Sequence, residues 1–163
     1  MEKTSQRDPA LALDGRASWL TLGMLTFAYA LAYVDRQLLS LLVDPIKASL
    51  GVSDTQFSLI QGSAFVLAYI GSAPIFGRLV DVAKRRNILL FGVCVWSICT
   101  AACAFATNFW ELFLFRVGVG VSEGCIFPVA MSMIADSFSR ERTPRAMSIF
   151  TLGTQIGGGF SLV

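Results

Sequence analysis

The sequence predicts an all-α integral membrane protein with four complete membrane-spanning helices and a truncated fifth. Of its 163 residues, 55% are apolar and 15% are charged, whereas soluble domains average about 45–50% and about 25%. The apolar residues form repeated runs of the roughly 20 residues that a helix needs to cross a bilayer. These runs lack the two-residue alternation of barrel strands. The predicted spans are residues 19–43, 57–79, 88–106, 112–135 and, where the sequence ends, 146–163.

Two of the polar breaks between these runs carry helix-start signals. Ser53 followed by Gln56, and Asn108 followed by Glu111, have the spacing of a capping box, in which each residue bonds the backbone N–H of the other. The breaks are therefore predicted to be junctions between helices.

Small residues recur at four-residue spacing inside the later spans. Gly120 with Gly124, and Gly153 with Gly157, follow this pattern. Because glycine lets the backbones of membrane helices approach each other closely, these pairs predict tight helix contacts.

The basic residues predict the orientation in the cell membrane. Ten of the 13 fall in the tail formed by residues 1–17 or in the second and fourth connections, and Lys47 alone falls on the opposite side. By the positive-inside rule, the tail is cytoplasmic and Lys47 faces outward. Residues 18–163 then form the multi-pass membrane domain. The ten residues are Lys3, Arg7, Arg16, Arg78, Lys84, Arg85, Arg86, Arg140, Arg142 and Arg145.

Four charged residues interrupt the spans. Asp35 and Arg36 lie in the first span, and Arg116 and Glu123 lie in the fourth. Arg116 and Glu123 are two turns apart and project from the same face of their helix. If the two spans are neighbours, their depths allow Asp35 to meet Arg116 and Arg36 to meet Glu123.

Two interpretations of these charges remain open. One is a buried ion-pair network that only fixes helix packing. The other is a proton-coupled site, in which Asp35 and Glu123 exchange protons while Arg36, Arg116 and Glu123 bind substrate. Each charge costs about 2.5–3.5 kcal/mol on insertion scales, and intramembrane charges are functional by default, which favours the second interpretation.

The composition disfavours several other classes of protein. The sequence has no histidine, so Ser-His and Cys-His nucleophiles, HExxH zinc sites and haem attachment motifs are excluded. A net charge of +2 gives no support for nucleic-acid binding. The cysteines have no CxxC spacing and are predicted to be small buried hydrophobes, so neither metal nor cofactor is expected. They are Cys94, Cys99, Cys103 and Cys125.

Two segments resemble motifs of the major facilitator superfamily. The second connection, GRLVDVAKRRN, resembles the signature loop GxLxDxxGRK, with Lys84 where glycine is usual and Val82 where a basic residue is common. The segment RVGVGVSEG, residues 116–124, is similar to the RxxxG motif of the fourth helix. The loop residues that match are Gly77, Leu79, Asp81, Arg85 and Arg86.

Residues 32–62, AYVDRQLLSLLVDPIKASLGVSDTQFSLIQG, resemble the spinster branch of that superfamily. This resemblance implies transport of lipids or other amphiphiles, with Asp35, Arg36 and Glu123 at the proton-coupling and substrate positions. It also implies a cytoplasmic gate of Gly77, Asp81, Arg85 and Arg86, in which Arg85 or Arg86 pairs with Asp136. The alternative for the loop is a cationic turn that only anchors topology.

A transporter of this class consists of two six-helix halves built from three-helix repeats. We therefore expect the chain to be the N-terminal part of a longer transporter, which lacks its C-terminal half. The expected function is proton-coupled secondary transport of a lipid-like or amphiphilic organic anion across the bilayer. Alternatives are symport of small organic anions or a non-transporting remnant, scaffold or receptor, and an enzyme is strongly disfavoured. The aromatic residues Tyr29, Tyr33, Phe65 and Tyr69 line a cavity or, more commonly for such residues, pack in the core.

Overall fold

The computed structural model describes residues 14–160, and their regular structure is entirely helical. Four of these helices are long and apolar enough to cross a membrane: Arg16–Leu41, Asp54–Val82, Arg85–Cys103 and Phe109–Ser137. The predicted all-helical, multi-pass architecture is therefore confirmed. The helices are α1 (Arg16–Leu41), α2 (Val43–Leu50), α3 (Asp54–Val82), α4 (Arg85–Cys103), α5 (Phe109–Ser137) and α6 (Thr143–Phe160).

The boundaries of the predicted spans differ from those observed by two or three residues, and α4, for example, runs from Arg85 to Cys103 instead of from residue 88 to residue 106. The first span was expected to run to residue 43, but α1 ends at Leu41. The predicted fifth span corresponds to α6, and its last three residues lie outside the described part of the chain. Most of the predicted tail, residues 1–13, also lies outside it.

Helix α5 forms the centre of the bundle. It packs against α3 and α4, and its second half also contacts α1 and α6. Its inward face is buried, including Val119 and Val129, whose side chains have no exposed surface. The position of α5 places Arg116 and Glu123 in the interior, facing α1.

Glycines make the closest helix contacts, as predicted. A Cβ added to Gly120 would come within 2.6 Å of the carbonyl oxygen of Phe65 on α3. A Cβ added to Gly157 would lie 2.6 Å from the carbonyl oxygen of Ala30 on α1. The two glycine pairs therefore join α5 to α3 and α6 to α1, because any larger side chain would force the backbones apart.

Helix α2 was not predicted. It follows α1 after a single residue, and Pro45 lies in its first turn, where a missing N–H is tolerated. The helix ends at Leu50 and is followed by Gly51, which has a φ of 62°. Lys47 on this helix pairs with Asp54 at the start of α3. The hydrogen bond to the Asp54 carboxylate raises the pKa of the Lys47 ammonium above its ordinary value.

Two membrane helices are interrupted. Residues Leu59–Ala64 of α3 form a π-helical turn, and α5 breaks at Gly124 and Cys125 between its two α-helical parts. Pro128 explains the break in α5, because it has no N–H to donate to the Gly124 carbonyl. Nothing in the sequence analysis predicted the π-helical turn.

The two predicted helix starts are present, with one difference in detail. Ser53 and Gln56 form the complete capping box. Asn108 accepts a hydrogen bond from the Glu111 N–H at 3.0 Å, but the Glu111 carboxylate accepts from the Thr107 N–H at 2.8 Å instead of bonding Asn108 in return. The reciprocal bond is displaced by one residue.

The prediction that all four cysteines are buried is wrong for Cys94. Cys125 is buried, Cys99 and Cys103 are half-buried, and Cys94 is exposed. All four are free thiols. Cys94 is exposed because α4 packs mainly against α5 on one side, which leaves its opposite side uncovered.

Candidate functional site

The four charged residues inside the spans form two ion pairs between α1 and α5. Arg36 donates to the same Glu123 carboxylate oxygen through Nη2 at 2.6 Å and Nε at 2.9 Å. Arg116 Nη1 donates to Asp35 Oδ2 at 3.2 Å. Both contacts expected from residue spacing are therefore present. The long arginine side chains bridge the two helices in both cases.

The members of these pairs differ in their access to solvent. The Glu123 side chain has no exposed surface, whereas the Arg36 side chain is 27% exposed. In the second pair, the Arg116 side chain is 4% exposed and that of Asp35 is 13% exposed. Arg36 is thus the most accessible charge of the site and the one best placed to meet an incoming anion.

One oxygen of the buried carboxylate is unused. Glu123 Oε2 accepts both hydrogen bonds from Arg36, while Glu123 Oε1 is buried and has no hydrogen-bond partner among the described residues. A carboxylate that is satisfied on one oxygen only has a free position for a proton. The geometry can therefore support proton binding at Oε1.

Two aromatic rings of α3 complete the site. The guanidinium carbon of Arg36 lies 4.7 Å from the centre of the Phe65 ring and 5.1 Å from that of Tyr69. Arg116 lies 5.5 Å from the centre of the same Phe65 ring. From the sequence, both aromatic residues are candidates for lining a cavity, although packing in the core is the more common role of such residues. Their contact with the arginines could not be read from spacing, because α3 is a third helix.

The other two aromatic residues that were considered do pack. Tyr29 stacks on Phe150 of α6 with ring centres 4.7 Å apart. Tyr33 lies beside Gly157 and Gly158. Both side chains therefore belong to the contact between α1 and α6.

A cavity of about 330 Å³ lies next to the Asp35–Arg116 pair, on the side toward α2. Its walls come from α1, α2, α4 and α5 and are mainly aliphatic, and their polar members are Asp35, Ser49, Thr100 and Arg116. Arg116 Nε and Thr100 Oγ1 are buried and have no hydrogen-bond partner among the described residues. Thr100 could not be predicted from the sequence as part of this site, since a lone threonine in an apolar run is not distinctive.

The predicted gate residues lie at the end of the bundle opposite to α2. Arg85, at the start of α4, forms an ion pair with Asp136 near the end of α5. Asp81 and Arg86 are exposed and stand outside this pair. Gly77 lies one turn before Asp81, and a Cβ added there would meet no atom within 4 Å. The packing of the described residues thus gives no steric reason for a glycine at this position.

A further polar contact at this end was not predicted. Asp14 accepts a hydrogen bond from the Ser139 N–H at 3.2 Å and lies 3.7 Å from Arg142 Nε. It ties the segment before α1 to the connection between α5 and α6. No motif in the sequence indicates such a contact over so long a separation.

The sequence model of the Major Facilitator Superfamily matches residues 25–163. The chain belongs to this superfamily. Two solved structures of a bacterial homologue of the human lysosomal transporter spinster, both inward-facing, are also similar to it. The unoccupied form matches with a TM-score of 0.86 and 31% identity, over 91% of this chain and 31% of that chain. The occupied form matches with a TM-score of 0.84 and 32% identity, over 89% of this chain and 31% of that chain.

Spinster proteins are among the curated relatives of this superfamily member. Protein spinster homolog 1 of Xenopus laevis is 32% identical over 142 residues, which cover 86% of this chain and 27% of that protein. The sphingosine-1-phosphate transporter SPNS2 of Danio rerio is 29% identical over 163 residues, which cover 99% of this chain and 32% of that protein. The predicted spinster-like membership is confirmed. The chain spans about a third or less of the length of these relatives.

Proposed function

We propose that this chain carries the proton-coupled half-site of a secondary active transporter for lipid-like or amphiphilic organic anions. The observation that carries the proposal is the ion pair between Arg36 and the buried Glu123 carboxylate, inside membrane helices. Charges inside membrane spans are costly, and apolar residues would pack the helices without that cost. The pair also has the two elements that coupling requires, a proton acceptor and an anion-binding cation.

The ionised Glu123 carboxylate and an anionic substrate compete for Arg36 in this mechanism. When Glu123 is ionised, its Oε2 holds Arg36 by two hydrogen bonds. A proton taken up at Oε1 neutralises the carboxylate and weakens both bonds. The partly exposed guanidinium is then available to pair with the head group of an anionic substrate. Because each ligand favours the state that the other favours, proton and substrate bind cooperatively.

The pair of Asp35 with Arg116 provides a second protonation position. Its carboxylate is partly accessible, with 13% of the side chain exposed. Protonation of Asp35 would weaken its ion pair with Arg116, and Arg116 would keep its contact with the Phe65 ring. The second arginine would thereby join Arg36 in attracting a negative head group.

The end of the bundle that carries Arg85 and Asp136 is proposed to be the cytoplasmic gate. The ion pair joins α4 to α5, and Gly77, Asp81 and Arg86 lie near it on α3 and α4. The open surface beside Gly77 and the exposure of Asp81 suit contacts with the other half of a transporter. The N-terminus is then cytoplasmic, in a cell membrane.

The substrate class is supported by chemistry and by the relatives. SPNS2 of Danio rerio is named as a sphingosine-1-phosphate transporter, and that substrate combines a phosphate with an alkyl chain. Arg36 beside two aromatic rings fits such a molecule, since the cation meets the head group and the rings meet apolar atoms. Symport of small organic anions is the alternative. The two are distinguished by whether uptake rises with the alkyl-chain length of the substrate.

Uptake into proteoliposomes tests the proposal, with the complete transporter that contains this chain. Glu123→Gln should abolish accumulation driven by a pH gradient but preserve exchange of substrate, because the amide mimics a permanently protonated carboxyl group. Arg36→Ala should lose binding of the anionic substrate. Glu111→Gln, on the same helix but at its beginning, is the matched control and should behave as the wild type. Unchanged gradient-driven uptake by Glu123→Gln would remove Glu123 from the mechanism.

A further inference from the structure

Both arginines of the site share the ring of Phe65. Its centre lies 4.7 Å from the guanidinium carbon of Arg36 and 5.5 Å from that of Arg116. Both distances are within the roughly 6 Å over which the face of an aromatic ring attracts a guanidinium. Phe65 is only 6% exposed, so water screens these contacts weakly. The ring therefore touches both ion pairs at once.

The backbone of α3 holds this ring in place. Phe65 is the first residue after the π-helical turn Leu59–Ala64. Its carbonyl oxygen lies against Gly120 of α5, so closely that a Cβ there would approach it to 2.6 Å. The ring also stacks with Tyr69 one turn later, with centres 5.9 Å apart. Phe65 is thus fixed by its own helix and by α5.

Neutralising Glu123 affects the ion pair of Arg36 but not its contacts with the aromatic rings. The ion pair weakens, and the attraction of the two rings remains, since it does not depend on the carboxylate. The Arg36 side chain is 27% exposed, so without the rings it would be free to turn out of the bundle. The aromatic contacts are the ones left to keep it beside the site.

We infer that Phe65 is a positioning residue: its ring retains Arg36 in the site while Glu123 is neutral, and so presents the guanidinium to an anion. This inference deepens the proposed function and rests on it for its role in transport. The retention itself is a property of the described helices. It can be measured on this chain without substrate.

The test is the rate at which phenylglyoxal modifies Arg36 in the 163-residue chain reconstituted in lipid nanodiscs, with the site of modification located by mass spectrometry. Adding Phe65→Leu to Glu123→Gln should raise the rate at Arg36 about tenfold, because one of the two ring contacts is lost when no ion pair remains. Phe65→Leu alone should raise it by about twofold or less, since the ion pair still holds Arg36. Adding Phe65→Tyr to Glu123→Gln should leave the rate unchanged because the ring is kept.

The dependence of the Phe65 effect on Glu123 separates positioning from a general loss of structure. Phe113→Leu is the matched control, because it removes an aromatic ring from the cluster with Phe109 and Trp110. It should not change the rate at which Arg36 is modified. Equal rates with and without the Phe65 ring in the Glu123→Gln chain overturn the inference, and so does an equally large effect when Glu123 is ionised.

If Phe65→Leu loses the helical circular dichroism of the wild type, Phe65→Met takes its place, because it preserves more of the volume without the ring. The same rates and the same overturning results then apply. If the modification rates at Arg36 are as expected but Glu123→Gln leaves gradient-driven uptake unchanged, the proposed coupling is refuted and the positioning role of Phe65 is supported. If the rates are not as expected but Glu123→Gln loses gradient-driven uptake, the positioning role is refuted and the proposed coupling is supported.

Discussion

At the scale of single residues, the site depends on how two arginines are divided between two carboxylates. Arg36 binds the fully buried Glu123, and Arg116 binds Asp35. The sequence predicted this pairing because the depth of a charge along a helix follows from the rise per residue. It could not predict the contacts with Phe65 and Tyr69, because these depend on the rotation of a third helix about its own axis.

Replacing one partner of the Arg36–Glu123 pair should cost more stability than replacing both partners. Arg36→Leu leaves the buried Glu123 carboxylate without a partner and should lower the free energy of unfolding by about 3–5 kcal/mol, whereas Arg36→Leu combined with Glu123→Leu should recover most of the loss. Unfolding of the purified chain in mixed micelles, followed by circular dichroism, measures both variants. A double variant no more stable than Arg36→Leu would contradict this account.

At the scale of elements, glycines set which helices lie together. The predicted pairs on α5 and α6 face backbone carbonyls of α3 and α1. Four-residue spacing was a sufficient signal, since it places small residues on one face of a helix. The helix α2 and the π-helical turn were missed for a different reason. Helix α2 produces no long apolar run, and runs were the basis of the span prediction. The π-helical turn lies inside the predicted span 57–79, and the length and hydrophobicity of a run do not reveal the type of helix.

Gly120→Ala should separate α5 from α3. The added methyl group would lie 2.6 Å from the Phe65 carbonyl oxygen, and overpacking of this kind costs about 1–3 kcal/mol. The free energy of unfolding in mixed micelles is the measurement. Gly71→Ala is the matched control on α3, because its added Cβ meets no atom within 4 Å. Equal stability of the two variants would show that the α3–α5 contact tolerates a methyl group.

The contact between α4 and α5 at the gate should matter more for transport than for stability. Arg85→Gln removes the ion pair with Asp136, both of which are partly accessible, and pairs of that kind contribute about 0–1 kcal/mol. We expect a small change in unfolding and a clear change in the uptake rate of the complete transporter. Arg140→Gln, exposed in the connection between α5 and α6 at the same end of the bundle, should change neither. Identical uptake rates for both variants would reduce the pair to a surface contact.

At the scale of the whole molecule, the charge distribution defines two different ends. Basic residues concentrate at the end where α3 meets α4 and α5 meets α6, and Lys47 lies at the other end on α2. The sequence was sufficient to predict these two ends, because the positive-inside rule needs only the order of spans and loops. Which end faces the cytoplasm is a prediction that labelling decides.

Ser49→Cys on α2 and Glu141→Cys between α5 and α6 test the orientation, since both positions are exposed. In intact cells, a membrane-impermeant maleimide should label Ser49→Cys and leave Glu141→Cys unlabelled until the membrane is opened. The unsubstituted chain, whose four native thiols lie within or beside the membrane helices, is the background control. Labelling of Glu141→Cys in intact cells would reverse the proposed topology.

The π-helical turn Leu59–Ala64 separates two parts of α3 that make different contacts. The part before Phe65 includes Gln61, which is hydrogen-bonded to Ser40 on α1, and the part after it carries the rings beside the arginines. A π-helical turn holds one residue more than the α-helical turn that it replaces, because its N–H groups bond carbonyls five residues back instead of four. Deleting one of the residues between Gln61 and Phe65 would therefore allow regular α-helical bonding with both parts of α3 in their present orientation. The turn is a one-residue insertion that α3 absorbs without rotating its aromatic rings away from the arginines.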